Sequence, residues 1–218
     1  MVGYGHSFPE QEDIPTEEYP LQGEARGPRW RHPAGARRSQ LQVIDGANPV
    51  KAGSYLAISD VAPDFWTRKP DGWAMKPKNE TPGATSCGHN IESAKGVVNM
   101  EVTADESLVT SQAGLPFEIV PGINPASAKP GTAIPLTVLL DGKPLRGEGV
   151  NARYAGFDKL SGSPDSKAFY GVTDTSGKQN SVPLTAGEWI VTVSYEESYP
   201  DNAACDKTDN GTLLHVTL

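Results

Sequence analysis

The sequence predicts an all-β protein whose C-terminal half is an immunoglobulin-like or prealbumin-like sandwich, with a smaller β domain before it. Three observations carry this expectation. Glycine (23) and proline (19) recur through the 218 residues and punctuate short segments. Several of those segments alternate apolar and polar residues, the period of a half-buried strand. Few apolar stripes have helical length. Apolar residues make up 37% of the chain, enough for a thin sandwich core.

Residues 1–40 show neither strand nor helix period and are expected to be extended and partly ordered. An acidic run, Glu10 to Asp13 with Glu17 and Glu18, precedes a basic, turn-rich stretch from Arg26 to Arg38. Residues 41–112 are read as the N-terminal β domain. Leu41 and Val43 open a strand, and Asp45-Gly46 signals a turn. Lys51 to Ile58 is a strand entered from a tight turn. Phe65, Trp66 and Trp73 follow closely and form an aromatic cluster, either a plug over a sheet end or a ligand-stacking platform. Ile91 to Val102 reads as helical at first and then as a strand.

Residues 113–218 alternate more clearly. Strands are expected at Leu115–Val120, Ile134–Leu140, Val150–Tyr154, Phe169–Val172, Val182–Leu184, Trp189–Tyr195 and Thr212–Leu218. Asp141-Gly142 is a hairpin turn, because both residue types tolerate positive φ. Pro135 and Pro183 belong at strand starts or edges.

The net charge of −8 disfavours binding to phosphate backbones, so no nucleic-acid partner is expected. No run of about 18 apolar residues marks a transmembrane helix, so no direct membrane insertion is expected. No signal peptide is visible before Met1-Val-Gly-Tyr-Gly-His6, which reads like a strand end. Export is therefore an inference, with Met1 read as a mature or misplaced start. Phosphate loops, zinc-protease motifs and nucleophile elbows are absent, and the expectation is a protein that is not an enzyme.

Cys87 and Cys205 lie 118 positions apart, too far for a local metal or redox motif. They can form a disulfide, remain free thiols or serve as metal ligands; in an exported β protein the disulfide is the expectation. Of the four histidines, each taken singly reads first as a surface or hydrogen-bonded residue. His215 alternates with Leu214 and Val216 and should face solvent. His32 lies in a basic stretch that repels cations. His6 and His89 sit beside glycines in loops near acidic sequence, and imidazole suits nickel, cobalt, copper or zinc. The segment from Tyr195 to Asp206 is acidic and contains Asp201 and Asp206. A bridge from Cys205 to Cys87 would bring it near His89 as a mixed nitrogen and oxygen cation site. A solvated acidic loop is the plainer alternative.

From Gly53 onward the chain resembles a family of exported proteins catalogued as a domain of unknown function and associated with periplasmic nickel or cobalt uptake. The resemblance rests on Gly53-Ser-Tyr55, Pro63-Asp-Phe-Trp-Thr67, Asp71-Gly-Trp73, Ser86-Cys87 and Ala94-Lys-Gly-Val-Val98. It continues through Gly114 to Pro121, Asn124-Pro125, Leu140 to Leu145, Thr173 to Gly177, Gly187-Glu-Trp189, Tyr199-Pro-Asp201 and Cys205-Asp206. Tyr4 to Pro9 looks like the family's histidine-bearing segment. The resemblance implies metal capture with nickel or cobalt as cargo, and a membrane component of a metal transporter as partner. His6 and His89 would be ligands, helped by Asp201 and Asp206. The alternative is a structural or adhesion-type module that binds protein or carbohydrate through Phe65, Trp66 and Trp73.

Overall fold

The computed structural model describes residues 21–27, 30–33, 52–100, 106–163 and 166–218. In chain order the first strands are β1 (Leu21–Gly27), β2 (Trp30–Pro33), β3 (Gly53–Val61), β4 (Asp64–Lys69), β5 (Gly72–Ala74) and β6 (Ser86–Met100). A one-turn helix, α1 (Glu106–Val109), leads to β7 (Phe117–Pro121), β8 (Ile134–Leu140), β9 (Lys143–Pro144) and β10 (Gly149–Tyr154). After α2 (Phe157–Ser161) come β11 (Phe169–Val172), β12 (Lys178–Ser181), β13 (Glu188–Ser198) and β14 (Lys207–Thr217).

The protein is all-β, and its strands form two sheets in a sandwich-like arrangement. The larger sheet runs β11-β10-β13-β14-β6-β3-β1-β2, with β4 also on β6 and β5 on β4. The smaller runs β12-β8-β7, with β9 on β8. Between them lies the core, with Phe117, Ile119, Leu136 and Val138 from the small sheet and Val97, Val150, Val191, Leu214 and Val216 from the large one. On β14 burial alternates along the strand, so Thr208, Asn210, Thr212, Leu214 and Val216 point inward.

The expected boundary near residue 112 does not separate the sheets. β6 lies beside β14 in parallel over Gly88–Gly96 and Lys207–His215. A parallel pair needs a long connection, and here β7 to β13 lie within it. Residues on both sides of 112 therefore share one sheet.

Several strands match their expected positions. The Asp141-Gly142 hairpin has φ of 49° and 71°, the positive pair that a two-residue turn requires. Pro135 lies one residue into β8 and points outward. Other segments differ. Ile91 to Val102 has no helical start, because β6 is one strand of 15 residues. Its inward positions include Ser93 and Lys95, and polar residues there hide the alternation. Residues 182–184 are not a strand; β12 ends at Ser181, and Pro183 has no N–H to continue the ladder. Within residues 1–40, β1 and β2 form a hairpin that pairs with β3. The expected strand at Leu41 and Val43 lies outside the described residues.

Candidate functional site

β6, β13 and β14 are long enough to run past the small sheet. Where that sheet covers them, Ser93 Oγ donates to the Phe117 carbonyl at 2.5 Å and Lys95 Nζ meets Glu118 Oε1 at 2.7 Å. Nearer the start of β6 the cover is the loop 199–206. Register places Phe65, His89, Thr208 and Glu197 in one row on the inner face, and Ile91, Asn210 and Tyr195 in the next.

His89 packs between Phe65 and Tyr199, at ring-centroid distances of 4.7 and 5.2 Å. The two flanking rings meet edge-on at 5.6 Å. Nδ1 of His89 is buried and has no hydrogen-bond partner. Burial pushes the imidazole pKa below its ordinary 6.5, and the Asp64 charge opposes that shift. On the same face Asn210 is 4% exposed, and its Nδ2 is likewise buried without a partner. Two orphaned polar atoms thus lie in adjacent rows of a face that, among the described residues, no strand covers.

Cys87 and Cys205 form a disulfide, with both residues buried and their Cα atoms 5.0 Å apart. The bridge anchors the 199–206 loop two residues from His89, as the sequence suggests. It does not deliver both aspartates to the imidazole. Asp206 pairs with Lys78 and accepts from the Cys87 N–H at 2.7 Å. Those contacts hold its carboxyl below the usual range. Asp201 shapes the turn into Cys205. Its Oδ1 accepts from the Ala203 N–H, and its carbonyl accepts from those of Ala204 and Cys205. Among the described residues, no three His, Cys, Asp or Glu side chains group as a metal site.

The other described histidines, His32 and His215, lie on other strands. His6 lies outside the described residues. His32 lies in β2, opposite Ala25. His215 points away from the core, as alternation requires, yet it is half-buried, and burial lowers its pKa against the Glu188 charge.

The aromatic cluster divides between the two faces of the sheet. Phe65 turns inward to His89. Trp66 and Trp73 turn outward and meet edge-on at 6.5 Å, with the Arg68 guanidinium 5.9 Å from the Trp73 ring.

Sequence reasoning missed the polar core. Lys95 and Glu118 are 2% exposed each, and Glu118 also accepts from the Ala113 and Gly114 N–H groups at 2.7 and 3.1 Å. Asn124 bonds Ser54 and Asn99 and caps the turn at Ala126. The available signal was a polar residue inside an otherwise apolar alternation, as in Phe117-Glu118-Ile119. Most of these residues lie in the segments that carry the family resemblance, so part of that pattern reflects architecture.

No helix among the described residues is long and apolar enough to cross a membrane. The disulfide is compatible with an extracytoplasmic location. A comparison with curated proteins finds no match. A family model matches residues 1–197, and the chain belongs to the family described as Domain of unknown function (DUF4198).

Proposed function

We propose that this protein is a periplasmic, non-enzymatic binding protein that captures nickel or cobalt and hands it to a membrane component of a transporter. The observation that supports this reading best is His89. Its Nδ1 is buried without a protein partner, and burial favours the neutral imidazole. Neutral imidazole is the form that ligates, and it suits nickel and cobalt. Asp64 supplies a negative field at the ring that favours a cation.

In this reading His6 brings the second imidazole. Asp206 is held by Lys78 and joins only if that pair opens; Asp201 is tied into its turn. Capture and release then proceed by ligand exchange, with no covalent chemistry on the cargo.

The test is isothermal titration of the oxidised, chelator-stripped protein with nickel, cobalt and zinc in turn. Stoichiometric binding tighter than about micromolar, selective for nickel or cobalt, is expected. The H6A/H89A double variant should lose it while keeping its circular dichroism spectrum. Unchanged affinity in that variant, or equal weak binding of all three ions, overturns the reading.

A further inference from the structure

The outer face at the same end of the large sheet carries a second constellation, independent of His89. Trp73 is 58% exposed at the tip of the β4–β5 hairpin, with Trp66 beside it and Arg68 over its ring. The cross-strand register continues this face from Trp66 through Gly88 to Lys207. Gly88 leaves a step with no side chain. A Cβ there would come within 2.5 Å of Asp209 Oδ2, so glycine lets that carboxylate lie across the strand. Lys207 then bridges Glu196 at 2.5 Å and Asp209 at 3.0 Å. All three side chains remain partly exposed, at 41%, 62% and 38%.

We infer that this face binds a neutral carbohydrate chain. An exposed indole offers an apolar face to the C–H side of a pyranose ring, and it keeps a polar edge for water or hydroxyl groups. Next to it, the Lys207 triad offers one donor and two carboxylates whose second oxygens can accept from vicinal hydroxyls. The charges largely compensate one another. Lys69 pairs with Asp71, Lys207 pairs with both Glu196 and Asp209, and the Arg68 guanidinium over Trp73 balances the extra carboxylate. A polyanion finds no net positive field here, and a polycation meets two of its would-be carboxylates already paired. An uncharged, hydroxyl-rich chain matches that balance. Trp73 is the stacking position, and the Asp209 carboxylate, lying over the buried Gly88, begins the polar one.

The test uses the full chain, titrated with cellohexaose, maltohexaose and chitohexaose while tryptophan fluorescence is followed; heparin serves as a polyanion control. Saturable binding of at least one neutral hexasaccharide is expected, weakened ten-fold or more in W73A and measurably in K207M. Trp73 is exposed, so thermal unfolding of W73A should match the parent. H89A should leave the binding intact, which separates this proposal from metal capture. No binding of any hexasaccharide, equal binding by W73A, or binding of heparin alone overturns it.

Discussion

Strands β6, β13 and β14 pass through both halves of the large sheet, and their inner faces change character along the way. Under the small sheet they present Val97, Val191, Leu214 and Val216, packed against Phe117, Ile119 and Val138. Beyond it they present Thr208, Asn210 and His89, the last against Tyr199 and two residues from a disulfide. A facing sheet removes apolar side chains from water, which is the main source of stability for the covered half. Among the described residues the other half has no facing strand, and loop 199–206 lies over it. That half is held instead by a covalent bridge, the Lys78 and Asp206 pair, and backbone bonds such as the 2.7 Å contact from the Lys78 N–H to the Ala204 carbonyl. Ties of this kind can leave polar atoms unsatisfied nearby, and a ligand can use such atoms.

Removing the bridge should have the largest effect on the difference between the two halves. The bridge closes a loop of 118 residues, and in the chain-entropy model C87S/C205S should lose about 4–5 kcal/mol. Urea unfolding measures the loss. Hydrogen exchange should show it opening residues 199–206 first while protection at Val191 and Leu214 persists. Equal loss of protection at both ends would mean that the two halves are not distinct.

A second variant attacks the covered half. Glu118→Ala removes the carboxylate that faces the buried Lys95 ammonium and should cost about 3–5 kcal/mol in the same assay. The K95M/E118L pair should recover much of that loss, because an apolar pair of similar size has no charge to desolvate. If K95M/E118L is as unstable as E118A, the ion pair has a further role in holding the sheets together.

The smallest effect compares the histidines of the two halves. His89 and His215 both have folded-state pKa values below 6.5, chiefly through burial. The unfolded chain takes up protons first, so neither residue affects stability above about pH 6.5. Stability should fall as the pH drops from 6.5 through the folded values. In chelator-treated buffer, the midpoint of urea unfolding should decline from pH 7 to 5.5. H89Q and H215Q should each flatten that decline, and an unchanged slope in both variants would assign the pH response to other groups.

Much of the C-terminal half was legible because its signals are local. Asp141-Gly142 needs only positive φ, and the alternation of β8, β13 and β14 needs only one buried face. The β6 segment was less legible because its inward side carries Ser93 and Lys95, whose partners come from β7. The site was legible in part. His89 and the Cys87 to Cys205 bridge were identifiable as residues, but Tyr199 over the imidazole and Lys78 on Asp206 depend on contacts distant in sequence.

The sequence by itself determined the all-β class, most C-terminal strands and turns, and the aromatic residues near the cysteine segment. Each of these follows from side-chain period or backbone preference over a few neighbouring residues. Only the tertiary structure decided that β6 lies parallel to β14 and that the expected division at 112 crosses one sheet. It also turned Phe65 inward while Trp66 faced outward, and it gave Asp206 to Lys78. Those outcomes depend on which strand edges meet and in what register, and a one-residue change of register would send every side chain to the other face.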